Sequence, residues 1–159
     1  MKNEFGFITW YTDERLGIFF STMPCVSERY ITPSSTNEEK MSINRFPFIN
    51  KRELRVQLVD KKKGKISNFA IPKSYCFDGA SIPRFFWRLI GPNTDNRFLI
   101  PALIHDNMCE HHEYVDNDRA FSTDVFNALL YVSDVSDFKR FFMKNSVGFW
   151  QTVRGGWKK

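Results

Sequence analysis

The sequence is poor in the features that define several common classes of protein. Its 159 residues include only three cysteines, Cys25, Cys76 and Cys109, and no Cys-x-x-Cys pair. An odd number of cysteines at irregular spacing argues against a disulfide framework and indicates free thiols, as in a reducing compartment. No window holds 18 consecutive apolar residues, so no segment is expected to span a membrane. Charged residues closely follow the apolar residues 5–10, so no signal peptide is expected.

Aromatic side chains, in contrast, are abundant. They make up 16% of the chain, and 17 residues are phenylalanine, which argues against disorder. A chain of this length is large enough to bury the core of one domain. The 23 basic and 18 acidic residues give a net charge of +5. So small an excess is typical of a soluble surface with surplus lysine, and nucleic acid is not expected as a partner.

The two halves of the chain together predict an α+β fold in one domain. Residues 1–75 read as mainly strands and loops, and residues 76–159 as mainly helical. The clearest strand signal is the alternation in Leu54-Arg-Val-Gln-Leu58, and the polar residues 32–39 read as a loop. We therefore expect an N-terminal antiparallel β portion packed on about four C-terminal helices.

The basic segment Lys61-Lys-Lys-Gly-Lys65 joins that strand to a second one at residues 66–71. A turn of this composition can contact phosphate, but a solvated hairpin tip is the simpler interpretation.

The predicted helices follow from apolar periodicity and from residues that begin and end helices. They cover residues 84–90 and 98–113, a third segment that Asp116 or Asn117 caps and that runs to 131, and a fourth that Ser136 caps and that runs to 153.

The densest ionisable chemistry lies in residues 103–126. His105 and Asp106 occupy one predicted helix, and Asp118 and Asp124 belong to the start of the next. A carboxylate from another helix can fix the tautomer of a histidine and make its free nitrogen a base that activates water. His105 is therefore the predicted base, and Asp118 or Asp124 its orienting carboxylate. Asp106 projects about 100° away around the helix, where it can hold a hard cation.

Other interpretations fit the same residues. His105, Cys109 and His112 share one helical face and could bind zinc, although no fourth ligand is evident. Cys109 could act as a nucleophile paired with a histidine on its own helix. A structural role, with the cluster buried and saturated with hydrogen bonds, needs no ligand.

The upstream segment Asp78-Gly-Ala-Ser-Ile-Pro-Arg84 leads into a helix start. Gly79 allows a tight turn there, and a helix start suits an anion or a buried carboxylate. A strand-to-helix connector with Ser81 as its cap explains the same residues equally well. We expect the segment to pack against the His105 helix, with Asp78 and Arg84 supporting the site.

Three motifs occur in order within residues 76–126: Asp78-Gly-Ala-Ser-Ile-Pro-Arg84, Ala102-Leu-Ile-His-Asp106 and Asp118-Arg-Ala-Phe121. Together they resemble a family of small, uncharacterised proteins of bacteriophages and prophages. Members of that family show an Asp-x-Ala-Ser-Ile-Pro-Arg segment, a helical His-Asp pair and a downstream Ala-Asp-x-x-Phe. The resemblance implies a phage-derived protein.

The same residues are more distantly similar to the phospholipase A2 helices of bacteria and of viral capsid proteins. That resemblance implies that His105 is the base, that Asp106 binds calcium and that Asp118 orients the histidine. Gly91-Pro-Asn is similar to the glycine-rich calcium loop, so Gly91 would present a backbone carbonyl to the ion. A plain helix-ending turn explains Gly91 as well.

The leading hypothesis is a phage-derived protein with a phospholipase A2-like hydrolase site, either degenerate or active, whose candidate metal is calcium and whose substrate would be an ester or related bond of the host envelope. The alternative is a non-enzymatic virion component or host-interaction protein that binds other virion proteins and whose His-Asp cluster is structural. In either case we expect the protein in the host cytoplasm after synthesis, or associated with the virion, and not secreted through a signal peptide.

Overall fold

The structure is a computed structural model that describes residues 2–79, 96–116 and 118–154, with side chains as far as Ser146. Antiparallel sheets occupy its N-terminal half, and helices occupy its C-terminal half. The predicted α+β fold is therefore confirmed.

A four-stranded antiparallel sheet forms the larger β layer. Its strands lie in the order β1, β2, β5, β6, with bounds Ile8–Thr12, Leu16–Phe20, Leu54–Asp60 and Lys65–Ile71. The predicted inward face is present, because Leu54, Val56 and Leu58 are all buried, but Gln57 on the opposite face is buried as well. In the β5–β6 hairpin, Leu54 pairs with Ile71. The turn of this hairpin covers residues 61–64 and lies at the Asp60 end of the sheet.

A smaller sheet joins β3 (Val26–Glu28), β4 (Phe48–Asn50) and β7 (Cys76–Phe77) in that order. β4 pairs with β7 through Phe48 and Phe77, and the chain emerges from β7 directly at Asp78.

Helix α1 (Asn37–Arg45) lies between β3 and β4. It corrects the loop predicted for residues 32–39. The helix begins in a capping box: the Thr36 hydroxyl accepts from the Glu39 backbone, and the Glu39 carboxylate accepts from the Thr36 backbone.

The C-terminal part contains α2 (Asn96–Glu110), a 3-10 helix (His112–Val115), α3 (Arg119–Val132) and α4 (Asp137–Arg154). The predicted helix over 98–113 therefore ends three residues early. The residue that caps α3 is Asp118, whose carboxylate accepts from the Phe121 backbone, and not the predicted Asp116; the other predicted cap, Asn117, lies outside the described residues. The helix predicted at 84–90 lies outside the described residues.

Helix α2 is the central element of the C-terminal part. Its buried residues face several directions around the helix, as in a helix that is enclosed by its neighbours. It packs against α3, β7 and the 3-10 helix, and one continuous core includes residues of both sheets and of α2, α3 and α4. The His-Asp pair is therefore held on a rigid helix inside the protein.

Candidate active site

His105 lies inside the core. Only 7% of the residue is exposed, and its ring packs against the Phe126 ring with centroids 4.8 Å apart. The Cys109 Sγ, one helical turn later, lies 3.7 Å from Nδ1 and 3.6 Å from Nε2. Burial lowers the pKa of His105 from 6.5 to about 4. The imidazole is therefore neutral at neutral pH, and it is a weak base.

The Asp106 carboxylate lies beside this ring, with its Oδ1 4.0 Å from Nδ1. The expected partner, Asp118, lies elsewhere: its Oδ2 accepts from Lys63 Nζ at 2.5 Å, and its Oδ1 accepts from the Phe121 backbone at 2.9 Å. These two donors, Lys63 first, lower the pKa of Asp118. Asp118 is thus engaged by Lys63 and by the start of α3, and its orienting role towards His105 stays a prediction.

Asp124, the other proposed orienting carboxylate, is also directed away from His105. It is exposed, and its Oδ1 accepts from Lys144 Nζ of α4 at 3.4 Å. The shared face predicted for His105, Cys109 and His112 is also interrupted, because α2 ends at Glu110 and His112 belongs to the 3-10 helix.

Asp78 and Asp106 are brought together across 28 positions of sequence. Their carboxyl groups are neighbours, close enough for Asp78 to act on the pKa of Asp106. Burial, the Asp78 charge and then the Glu110 charge raise the pKa of Asp106 well above its usual value of 3.8. Two adjacent carboxyl groups that share a proton supply one acid and one base at the same place. The Asp106 side chain is 18% exposed, so the pair is not sealed inside the core.

Sequence reasoning did not select Tyr75 and Asn107, which lie beside this pair. The Tyr75 hydroxyl is close to Glu110 and Asn107, and burial, then the Glu110 and Asp106 charges, raise its pKa. Its hydroxyl and the Asn107 Oδ1 are both buried without a completed hydrogen bond. Such groups are costly to keep, and they are frequent at functional sites. Their closeness in sequence to Asp78 and Asp106 was the one available signal.

The remaining predicted site residues, Arg84 and Gly91, lie outside the described residues. Among the residues that are described, no group of three or more His, Cys, Asp or Glu side chains is arranged to hold a metal ion.

All three cysteines are free thiols, as predicted. In the same part of the chain, no helix combines the length and the apolar content needed to cross a bilayer.

Comparison with known families gives one match, which covers residues 53–147 and thus more than half of the chain. The chain belongs to the DUF1353 family, described as a protein of unknown function. The matched residues include Asp78 and all of α2, so they contain the Asp78–Asp106 pair. No curated protein and no solved structure matches the chain.

Proposed function

We propose that this protein is a hydrolase whose proton-transfer groups are Asp78 and Asp106. The observation that carries the proposal is the meeting of the Asp78 and Asp106 carboxyl groups beside α2, where burial and the Asp78 charge raise the pKa of Asp106. A carboxyl group with a raised pKa holds its proton to higher pH and can act as a general acid, and a neighbouring carboxylate can act as a general base.

The reaction that suits such a pair is the attack of water on an acyl carbon. The ionised carboxylate takes a proton from the water, whose oxygen bonds to the carbonyl carbon. The protonated Asp106 donates its proton to the carbonyl oxygen, which gives a neutral tetrahedral intermediate. In the collapse, the carboxyl group that took the proton from water donates it to the leaving alcohol oxygen, and Asp106 takes a proton from a hydroxyl of the intermediate, so the acid and the alcohol are released and the pair again holds one proton. The buried, neutral His105 supports the packing of α2 in this scheme and is not the base.

The resemblance to phage proteins and to phospholipase A2 suggests the substrate: an ester or related bond of the host envelope. The proposal then places a phage-derived protein in the host cytoplasm, or with the virion, until the envelope becomes accessible. Two carboxyl groups are also ligands that calcium prefers. Calcium bound at Asp78 and Asp106 would replace the proton that they share.

Hydrolysis of phospholipid vesicles and of a short-chain ester, measured with and without calcium between about pH 4 and 9, tests the proposal. Asp78→Asn and Asp106→Asn keep the size of each side chain, and each should lower kcat by about 10²- to 10⁴-fold. Asp134→Asn is the matched control, since Asp134 is exposed on the turn before α4. Wild-type protein that hydrolyses neither substrate, or an Asp106→Asn variant that keeps full activity, would contradict the proposal.

A second candidate, a non-enzymatic interaction protein, has one observation in its favour. Phe138 and Phe141 at the start of α4 are 57% and 65% exposed, and Tyr131 and Val132 at the end of α3 are also exposed. Clustered exposed apolar side chains are typical of protein-binding surfaces. If this function is the correct one, Phe138→Ser with Phe141→Ser should abolish incorporation of the protein into virions, and Asp106→Asn should leave it unchanged.

A further inference from the structure

The basic turn after β5 is held by other elements and is not a free hairpin tip. Lys61 Nζ donates to the Thr12 hydroxyl at 2.7 Å, Lys63 pairs with Asp118, and Lys65 pairs with Asp116. These contacts fix the turn against the β1–β2 hairpin and the start of α3. Lys62 has no ion-pair partner within the described part of the chain.

A cleft of about 580 Å³ opens beside this turn. The β1–β2 turn and the Lys61–Lys65 segment form one side of it, and α3 and α4 form the other. Its volume falls within the usual range of small-molecule sites, about 300 to 1,000 Å³. His105, Asp106 and Asp78 are not among its lining residues, so it is separate from the candidate active site.

The carboxylates that line the cleft are already occupied. Asp13 accepts from the Tyr11 hydroxyl and from two backbone N–H groups, and Asp60 accepts from two backbone N–H groups of the basic turn. Asp118 and Asp124 pair with lysines. Arg15 and Lys62 line the same cleft and, among the described residues, have no acidic partner. The lining thus holds five cations and four carboxylates, and Arg15 and Lys62 are the cations left to meet an anionic group.

The cleft also has an aromatic wall. The Tyr11 and Tyr131 rings meet edge to face with centroids 6.1 Å apart, and the Arg140 guanidinium lies 4.9 Å from the centre of the Tyr131 ring. Tyr131 is 60% exposed, so part of its ring is available for stacking. A planar aromatic group of a ligand can stack on such a surface next to a cation.

We propose that this cleft binds a small organic phosphate that carries a planar aromatic ring, of the nucleoside monophosphate class. Arg15 and Lys62 contact the phosphate, Arg15 through its planar fork of donors and Lys62 as a point charge. Tyr131 stacks on the ring. The cleft takes one such unit, because the fixed basic turn and α4 bound it on opposite sides.

Isothermal titration calorimetry on the full chain with the four ribonucleoside monophosphates tests this proposal. At least one nucleotide should bind with micromolar affinity. Its nucleoside and inorganic phosphate, titrated separately, should each bind at least about tenfold more weakly. Combining Arg15→Gln with Lys62→Gln should weaken nucleotide binding by about tenfold or more. Tyr131→Leu should weaken it by about fivefold or more through lost stacking.

Lys51→Gln is the control, since it removes one positive charge at the opposite end of β5, and it should bind the nucleotide as wild type does. The melting temperature of each variant shows whether it has folded. The proposal is overturned if no nucleotide binds at about 5 mM. It also fails if the double variant binds like wild type, if Lys51→Gln loses as much affinity as the double variant, or if phosphate alone binds as tightly as the nucleotide.

Discussion

Burial of His105 should make the protein lose stability in mild acid. In the folded protein this imidazole takes up a proton only near pH 4, whereas in the unfolded chain it does so near pH 6.5. Between these two values the unfolded chain binds a proton that the folded protein does not. The contribution of His105 to stability is therefore fully present above about pH 6.5 and is lost as the pH falls towards 4.

The size of the effect follows from the two pKa values. At pH 4 the imidazole of the unfolded chain is almost fully protonated, and that of the folded protein is half protonated. Summed from pH 7 down to pH 4, this difference in bound protons is equivalent to one proton over about 2 pH units. At about 1.4 kcal/mol per unit, the free energy of unfolding should fall by about 3 kcal/mol between pH 7 and pH 4 through this group alone. A loss of that size is a substantial part of the stability of an ordinary domain, about 5 to 15 kcal/mol.

Urea unfolding of wild type, His105→Gln and His111→Gln at pH 7 and pH 4 isolates this contribution from that of the carboxyl groups. Wild type should lose about 3 kcal/mol more than His105→Gln. His111 has a side chain that is 44% exposed, so His111→Gln should follow wild type. If His105→Gln differs from wild type by the same amount at both pH values, within about 0.5 kcal/mol, His105 is not the buried neutral group described above.

Further predictions concern the helix cap, the core and the thiols. Asp118→Ala should lower the free energy of unfolding by about 0.5 to 2 kcal/mol through loss of the α3 cap, and Asp124→Ala, which removes only an exposed ion pair, by less than about 0.5 kcal/mol in the same urea titration. Met108→Ala should cost about 2 to 5 kcal/mol because Met108 is fully buried, whereas Met41→Ala, at an exposed position of α1, should change the stability by less than about 0.5 kcal/mol. Thiol titration of the unfolded protein without reductant should give three reactive groups; a value of one would indicate a disulfide.

The sequence predicted those elements whose signal comes from burial. β5 and the C-terminal helices each bury at least one face in the core. This burial produces the alternation in β5 and the apolar periodicity of the helices. Helix α1 was missed for the same reason: none of its residues is buried, so it has no apolar period to detect. Its one signal was the capping box formed by Thr36 and Glu39.

Helix boundaries were less predictable than the helices themselves. Three candidate caps stand together at positions 116–118, and composition does not distinguish them. In the structure, Asp116 takes a left-handed conformation with φ of 53° at the end of the 3-10 helix, and Asp118 takes the extended conformation of a cap. The choice between them depends on where α2 ends, and that depends on how α2 packs.

The segment that begins at Asp78 was expected to pack against the His105 helix, and Asp78, directly after β7, lies beside Asp106 of α2. Which carboxyl groups would meet there could not be read from the chain, because that depends on tertiary register. Asp118 is likewise engaged by Lys63, which lies 55 positions earlier in the sequence. Spacing alone suggested a His105–Asp118 pair because it could not include this competing lysine.

Helix α3 explains why the predicted site divides into two. Asp124 and Phe126 are two residues apart, so they project about 200° apart around the helix. Phe126 is buried against His105, and Asp124 therefore faces the opposite side, towards α4 and the cleft. The Asp78–Asp106 pair, of which Asp106 lies on α2, and the cleft are thus separated by the body of α3. Substitutions at the two places share no partner, so their effects on stability should be additive, and a nucleotide in the cleft needs no contact with the Asp78–Asp106 pair.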